Sequence, residues 1–337
     1  MAYTTIDDPS VYFQIELYTG DGSGAAHTFD GATDLAPGLL WIKSRSASNS
    51  SHVVDSVRGY NKALASDSDS AEYTSKIASL DSDGFTTSDG AYGSVSTDGR
   101  TYVAWCWKES ATSGFDIVSY TGDGVIGTTV AHSLSAKPEF IVVKARAGTN
   151  GQNDWYTWHV GLAANKGLKM STTAAEFTDP GEGLINSTQN TSTFGFYSSD
   201  SSGVINVNED STTFIAYLFA PKQGFSKFGS YATNNNADGP FIYTGFKPAW
   251  VMLKVVDGNT GGWDIYDNKR GINPNEEVLQ ANADGAEASN DAIDLVSNGF
   301  KIRNTSGNQN GSGDTVIYMA FAEAPFVNSG GVPANAE

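Results

Sequence analysis

Cysteine, histidine and long apolar runs are all scarce in this sequence of 337 residues. Cys106 is the single cysteine, which excludes an intrachain disulfide, and its position inside an apolar stretch predicts a buried thiol. The four histidines show no metal-ligand spacing, and no G-x-S-x-G motif occurs. Neither a zinc site nor a serine nucleophile therefore has support from the sequence.

Apolar runs are too short, and basic residues too few, for a membrane or nucleic-acid protein. No stretch approaches the roughly 18 apolar residues that span a bilayer. Residues 1–9, MAYTTIDDP, have neither the basic part nor the apolar part of a signal peptide. The formal net charge is −18, from 38 acidic and 20 basic residues, and such a surface repels phosphates and anionic lipids. We therefore expect a protein that is made in a cytoplasm, inserts into no membrane and binds no nucleic acid.

Glycine and short apolar strands are what the sequence does contain. It has 37 Gly residues among many Ser, Thr, Asn and Asp, and long amphipathic helical patterns are hard to find. This mixture predicts many short strands joined by tight turns. The predicted fold class is all-β with antiparallel strands.

The stretch Thr101–Trp107 predicts an interior strand because its alternate residues are apolar on both sides. A buried helical segment of that length has the same pattern, so periodicity alone leaves both open. The stretch returns at Thr213–Phe219 and at residues 317–321, in the same order of aromatic, aliphatic, Ala and aromatic. The matching alanines, Ala104, Ala216 and Ala320, are 112 and 104 residues apart.

Other landmarks recur in the same order around these strands. A YTGDG turn occurs twice, with a looser Asn-rich copy later in the chain. Three strands begin with Pro and end with Lys, and we expect these lysines to reach solvent at the strand end or to pair with a carboxylate. Three Gly-Phe pairs precede the last hairpin, where Gly supplies freedom at a turn or bulge. The Pro-led strands are residues 37–43, 138–144 and 248–254, and the Gly-Phe pairs are 84–85, 195–196 and 299–300.

The repeats predict three tandem β-sandwich units. Each has about 110 residues, which is a normal domain size. The short polar links between them indicate units that pack against each other. The predicted units are residues 1–110, 111–222 and 223–327, and residues 328–337 are predicted to be a flexible tail.

Residues 122–127, GDGVIG, match the dinucleotide-binding pattern G-x-G-x-x-G. That site needs a helix whose N-terminus receives the pyrophosphate. The residues that follow, TTVAHS at 128–133, favour a strand instead, and the matching turn of the first unit lacks the third Gly. A hairpin turn is therefore predicted here.

Residues 153–159, NDWYTWH, combine aromatic, amide and carboxylate side chains, and residues 262–266, GWDIY, are a fainter copy. Exposed rings beside Asn and Asp are typical of sugar sites, where a ring face contacts the pyranose and polar groups bind its hydroxyls. Packing of alternate aromatic residues in a sandwich core explains the same pattern and is the simpler interpretation. The candidate glycan-binding residues are Asn153, Asp154, Trp155, Trp158, Trp263 and Asp264.

Two acidic loops resemble parts of calcium loops, because alternating oxygen ligands can surround a hard cation. Neither has the full twelve-residue pattern with a closing Glu, so a solvated loop is the simpler interpretation. Calcium is the one cofactor that the sequence suggests. The candidate ligands are Asp67, Asp69, Asp81 and Asp83.

Five motifs of the first unit occur together over most of residues 10–109: YTGDG, WIKSR, DSVRG, DGF and YVAWCWK. Together they resemble a repeat family of unknown function found in structural proteins of marine bacteriophages. The second and third units depart from this pattern, since DSVRG is absent from the second. The resemblance implies jelly-roll or concanavalin-like sandwiches and a virion component, such as a tail fibre, an appendage or a head decoration. It implies no catalytic residues.

We therefore predict a non-enzymatic virion protein, made in the host cytoplasm, that acts as a fibre or tail appendage and binds a glycan on the host surface. Its expected partners are other tail or capsid proteins. A capsid decoration protein is the structural alternative, and an enzyme that degrades surface polysaccharide is the alternative from another class. Homotrimers are implied by the resemblance, but three internal units would supply the same symmetry in a monomer, so both stay open.

Overall fold

The computed structural model describes residues 3–88, 95–147, 153–178, 184–185, 189–197, 205–258, 260–271, 277–289 and 292–333. In these parts the regular structure is almost entirely β-strand, with one 3-10 turn at Pro9–Val11 and one short α-helix at Ile205–Asn208. Every described strand pairing is antiparallel. The predicted all-β, antiparallel fold class is confirmed. No helix in the described ranges is long and apolar enough to cross a membrane.

Each third of the chain contributes one larger sheet and one three-stranded sheet, and we call these thirds the first (residues 3–110), second (111–222) and third (223–333) segments. The first segment contains β1 Phe13–Thr19, β2 Ala26–His27, β3 Leu39–Ser44, β4 His52–Asp55, β5 Lys62–Ala63, β6 Tyr73–Thr74, β7 Ile77–Asp81, β8 Gly84–Thr87 and β9 Thr101–Trp107. The second contains β10 Phe115–Thr121, β11 Thr129–Ala131, β12 Phe140–Ala145, β13 Trp155–His159, β14 Lys166–Lys169, β15 Phe177–Thr178, β16 Leu184–Ile185, β17 Thr193–Tyr197 and β18 Thr213–Phe219. The third contains β19 Ser226–Ala232, β20 Phe241–Tyr243, β21 Phe246–Val255, β22 Asp264–Asp267, β23 Glu277–Gln280, β24 Ala288–Ser289, β25 Ile293–Val296, β26 Gly299–Ile302 and β27 Thr315–Pro325.

The three larger sheets begin with the same strand order. They run β1-β9-β3-β4, β10-β18-β12-β13-β14-β15 and β19-β27-β21-β22-β23-β24. The closing strands β9, β18 and β27 therefore lie between two hydrogen-bonded neighbours, as predicted for Thr101–Trp107. The small sheets also match, with the orders β2-β8-β7, β11-β17-β16 and β20-β26-β25.

The alignment predicted for the third closing strand is wrong by two residues. Thr101 pairs with Thr19, Thr213 pairs with Thr121, and Thr315 pairs with Ala232, so the three threonines are equivalent. Tyr318 therefore occupies the place of Ala104 and Ala216, and Ala320 does not. The error arose because side chains alternate with a period of two, so a slip of two residues returns every side chain to the same face.

Two of the three Gly-Phe pairs confirm the expected role of glycine. Gly84 ends the tight turn between β7 and β8 with a φ of 107°, and a Cβ there would lie 1.9 Å from the His27 carbonyl oxygen. Gly299 closes the turn between β25 and β26, where a Cβ would lie 2.0 Å from the carbonyl oxygen of Ile242. Only glycine allows the neighbouring edge strand to approach so closely.

The larger sheets bury both faces. One face packs against the small sheet of the same segment. Phe85 of β8 makes this contact in the first segment, and Phe196 of β17 makes it in the second. The opposite faces of all three larger sheets meet in one shared core. In the third segment the two cores are continuous.

Three equivalent aromatic residues meet in the shared core, one from each closing strand. Trp107, Phe219 and Phe321 have ring centroids 6.4, 5.6 and 5.8 Å apart in the three pairings. Such contacts contribute about 0.5–1.5 kcal/mol per pair beyond the burial of apolar area. A cavity of about 40 Å³ lies beside Trp107 and Phe219 and is lined almost entirely by apolar side chains. The segments are therefore joined through their interiors.

Candidate functional site

The rings predicted to bind a glycan are buried. Trp155 and Trp158 lie on β13 with 1% and 6% of their surface exposed, and Trp263, just before β22, is 1% exposed. A sugar platform needs an exposed ring face. The glycan-site prediction for these three residues is therefore wrong, and the alternative of core packing is correct.

Two of these tryptophans instead join neighbouring segments. Trp155 Nε1 donates to the carbonyl oxygen of Ala65 in the first segment at 2.8 Å. Trp263 Nε1 donates to the carbonyl oxygen of Lys169 in the second segment at 3.4 Å. Each ring fills an inter-segment contact while its N–H group satisfies a backbone carbonyl of the preceding segment.

The polar members of the predicted glycan cluster lie in two places, beside β13 and on β22. Asp154 and the partly exposed Asn153 lie at the start of β13, where Asp154 pairs with Lys169 at 3.3 Å. Asp264 is 1% exposed and accepts hydrogen bonds from Gln280 and Gln309. Burial raises the pKa of Asp264, against the opposing effect of these amide donors. Asp264 is part of an internal polar network, and no sugar can reach it from the surface.

Three of the four predicted calcium ligands accept hydrogen bonds with their carboxylates. Asp67 accepts from Ser51 N at 2.8 Å, and Asp81 accepts from Ser79 Oγ at 2.6 Å. Asp83 accepts from Leu35 N at 3.1 Å. The backbone carbonyl oxygen of Asp69 accepts from Lys144 Nζ at 3.2 Å. Within the described residues, no three His, Cys, Asp or Glu side chains lie where they could share a metal ion. The calcium site stays a prediction.

The turn at residues 122–127 is followed by strand β11, and not by the helix that a dinucleotide site needs. The predicted strand is confirmed, but the predicted hairpin is wrong. β10 belongs to the larger sheet and β11 to the small sheet, so the turn carries the chain from one sheet to the other. Asp123 stabilises it by accepting hydrogen bonds from Val125 N and Asn208 Nδ2.

The lysines that end the three Pro-led strands form an inter-segment ring. All three are fully buried, so the prediction that they reach solvent or pair with a carboxylate is wrong. Lys43 Nζ donates to Ala283 O of the third segment at 2.6 Å, and Lys144 Nζ donates to Ser70 O of the first at 2.9 Å. Lys254 Nζ donates to Thr173 O of the second segment at 3.0 Å. Each lysine thus holds a loop of the preceding segment, in cyclic order.

Burial lowers the pKa of Lys43, Lys144 and Lys254 to about 8, because an ammonium loses solvation in the interior. Carbonyl oxygens from the loops replace part of that lost hydration. The arrangement uses the point charge and three donors of lysine as a structural clamp.

Backbone hydrogen bonds repeat the same cyclic order beside the lysines. The amide of Glu72 donates to Arg146 O, the amide of Glu176 to Val256 O, and the amide of Glu287 to Arg45 O. The distances are 2.7, 2.8 and 2.8 Å, so each segment touches the next in the same way. Two of these junctions add side-chain pairs: Arg146 with Glu72 at 2.9 Å, and Arg45 with Glu287 at 2.8 Å.

A second set of cyclic contacts involves the last residues of β4, β13 and β22. Asp55 accepts from the hydroxyl of Tyr217 in the second segment at 2.7 Å. Asp267 accepts from Trp105 Nε1 in the first segment at 2.8 Å. His159 donates from Nε2 to Tyr318 O in the third segment at 3.0 Å, while its Nδ1 accepts from an amide. Each of the three junctions therefore has one hydrogen bond of this set, with the donor in one segment and the acceptor in the next.

Buried arginines hold the two carboxylates of this set in place. Arg58 Nε lies 2.6 Å from Asp55 Oδ2, and Arg270 Nε lies 2.5 Å from Asp267 Oδ2. A Gly follows each of these arginines in the sequence, and both arginines also donate to a carbonyl oxygen of the strand that precedes them. The second segment has His159 instead of this pair, and burial lowers the pKa of that imidazole to about 4, so it is neutral at pH 7.

A groove of about 150 Å³ lies between the first and third segments. Its floor is apolar, with Phe13 and Ala322, and its rim carries Asp30, Lys269 and Glu323. Lys269 Nζ is 2.8 Å from Asp30, and both side chains are largely exposed. No group that sequence analysis named as a candidate ligand lies in this groove.

Residues 8–325 match the family described as "Domain of unknown function (DUF7483)". The chain belongs to this family. The match runs through all three segments in one stretch, and with it through every contact of the inter-segment ring. No curated protein and no solved structure matches the chain.

Sequence analysis did not find the inter-segment ring of this DUF7483 member. The signal was present, because a Lys ends each Pro-led strand and an Arg-Gly turn follows two of the next strands. The hydrogen-bond partners of these residues could not be read from the sequence, because most of the acceptors are backbone carbonyls of loops that carry no sequence signature.

Proposed function

We propose that the chain is a non-enzymatic structural protein of a bacteriophage particle, built from three tandem β-sandwich units closed into a pseudo-threefold ring. The resemblance of the first unit to repeats of phage structural proteins motivates the virion assignment. The observation that supports a structural role is the cyclic inter-segment ring itself. Another fold would place its lysines, arginines and carboxylates in a cleft. In this chain these side chains connect the units to each other.

The compact ring favours an appendage on the particle over an elongated fibre shaft. A shaft gains length by stacking repeats end to end, whereas these repeats close on one another through a shared core. Other tail or capsid proteins are its proposed partners. The exposed acidic surface, with its net charge of −18, would favour contact with neutral or basic partner surfaces.

A capsid decoration protein is the second candidate. The specific observation in its favour is the cyclic order of the contacts, because a pseudo-threefold body matches a position on a threefold axis of a shell. We propose that one chain supplies this symmetry alone. Light scattering after gel filtration should then give a mass near 35.6 kDa, and a mass three times larger would show a homotrimer.

Electron microscopy of purified phage particles tests the virion assignment. Gold-labelled antibodies against the chain should decorate the particles at one defined location, at the tail for an appendage and over the head for a decoration protein. Particles without label, from a lysate that contains the chain in soluble form, would contradict the proposal.

Release of reducing ends from host polysaccharide tests the enzyme alternative. Folded protein should release no more than heat-denatured protein from the same preparation. Turnover that depends on the folded chain would overturn the non-enzymatic assignment and leave the virion assignment to microscopy.

A further inference from the structure

The three junctions between segments differ in how the polypeptide connects them. The chain passes directly from the first segment to the second at residues 108–114, and from the second to the third at residues 221–226. Short antiparallel bridges, Ser110 with Phe115 and Lys222 with Ser226, fold these two crossings tightly. The junction between the third and first segments has no such crossing within the described residues.

Residues 3–12, which precede β1, lie across this third junction. The Tyr3 hydroxyl donates to Gly245 O at 2.8 Å, and Thr4 Oγ1 donates to Gln223 O at 2.7 Å. Ser329 N donates to Asp7 Oδ1 at 2.6 Å. Part of the predicted flexible tail is therefore hydrogen bonded to the first segment, and residues 334–337 lie outside the described residues.

Apolar contacts anchor the same stretch. Ile6 is 3% exposed and belongs to the shared core. The ring of Tyr12 lies 6.0 Å from that of Phe225, edge to face. Burying an Ile side chain contributes about 1.5–3 kcal/mol, which is substantial for a single contact at one junction.

This junction also contains a groove. The groove of about 150 Å³ opens between its two sides. The pair of Lys269 with Asp30 is exposed to solvent, so it adds little. Asn268 lines the groove, and its Oδ1 atom is buried with no hydrogen-bond partner in the part of the chain that the structure describes.

We propose that residues 3–12 form a latch that closes the ring where no polypeptide crossing does so. With the latch in place, the third junction matches the other two. When it detaches, this junction opens first and exposes the shared core, while the other two junctions stay closed. The latch is thus a conformational device that gives the ring one defined point of opening.

The three equivalent backbone amides provide one reporter for each junction. Glu72 N bonds across the first–second junction, Glu176 N across the second–third junction, and Glu287 N across the third–first junction. Amide hydrogen exchange, followed by mass spectrometry on peptides that contain each residue, measures the opening of each junction separately.

The test variant is Thr4→Val with Ile6→Ala in the full chain. It removes the hydrogen bond from Thr4 to Gln223, the bond that Thr4 Oγ1 accepts from Ile6 N within the latch, and part of one buried side chain. We expect exchange at Glu287 to become at least about tenfold faster, with Glu72 and Glu176 within about twofold of their original rates. Thr4→Val alone keeps the side-chain shape, and if the double variant fails to fold it should still accelerate Glu287 about threefold.

Ile242→Ala is the matched control, because Ile242 is 7% exposed, lies in the shared core and is not part of the latch. It should change the three reporters equally or not at all. Equal acceleration of all three amides in the latch variants would show general destabilisation and overturn the proposal. An unchanged exchange rate at Glu287 in a chain that lacks residues 1–8 would also overturn the proposal.

Discussion

The hydrogen bond from Trp105 to Asp267 makes a sharp prediction about inter-segment energetics. Trp105 is fully buried on β9 of the first segment, and its Nε1 lies 2.8 Å from Oδ2 of a buried carboxylate in the third. A hydrogen bond to a charged group contributes about 1.5–3 kcal/mol to the free energy of unfolding. Trp105→Phe removes this donor and leaves the carboxylate with fewer partners.

Trp107→Phe is the matched control on the same strand. Trp107 is 2% exposed and lies in the same core, but its Nε1 has no hydrogen-bond partner among the described residues. Both substitutions remove the same ring atoms, at a cost of about 1–2 kcal/mol for lost packing. Only Trp105→Phe also breaks a bond, so we expect it to be the more destabilising of the two by about 2 kcal/mol.

Urea unfolding followed by far-ultraviolet circular dichroism measures this difference, since fluorescence would be confounded by the loss of a tryptophan. The two variants should show equal m values and different midpoints. Tyr217→Phe removes the equivalent bond to Asp55 and should also cost about 2 kcal/mol. If Trp105→Phe and Trp107→Phe are equally destabilising, the buried bond between segments contributes nothing and the reasoning fails.

Three further predictions concern pH and glycine. Burial lowers the pKa of His52 to about 3 and that of His159 to about 4, so the unfolded state binds more protons below pH 6.5. The free energy of unfolding should therefore fall by about 2 kcal/mol per histidine between pH 7 and pH 5. An unchanged urea midpoint would contradict this. The three ring lysines have folded pKa values of about 8, below the usual 10.5, so the unfolded state binds more protons between these values and stability should rise by about 1 kcal/mol per lysine from pH 7 to pH 9. Above pH 10 the buried tyrosines, whose pKa values burial raises, should reverse that rise, and a steady decline in melting temperature from pH 7 upward would refute the lysine argument. Gly84→Ala should cost more than about 3 kcal/mol of stability because its Cβ would meet the His27 carbonyl. Gly99→Ala, also at positive φ but in open space, should cost about 1 kcal/mol. Equal melting temperatures for the two variants would contradict the structure of the turn at Gly84.

The local structure of each segment follows from the sequence. The closing strand Thr101–Trp107 is interior because apolar residues on both sides leave it no solvated face. Cys106 is buried as expected, and its surroundings raise the pKa of the thiol. The turn at Gly84 needs a backbone freedom that the sequence announces with a glycine.

The particular contacts between segments did not follow from the sequence, for physical reasons. Asn and Asp beside Trp155 are equally compatible with a sugar site and with a core contact, because composition does not record which face is covered. Lys144 ends a strand where lysine is ordinarily exposed, and only the loop of another segment turns that position into an interior one. The slip that misplaced Ala320 preserved the alternation, so no pattern of polarity could have detected it.

Differential scanning calorimetry tests the central claim, that three repeats share one core and close into one ring. A ring that unfolds as a unit should show a single transition whose van't Hoff enthalpy equals the calorimetric enthalpy. For 337 residues at about 0.7 kcal/mol each near 60 °C, that enthalpy is about 240 kcal/mol. Separate transitions, or a van't Hoff enthalpy near one third of the calorimetric value, would show three independent domains and contradict the closed ring.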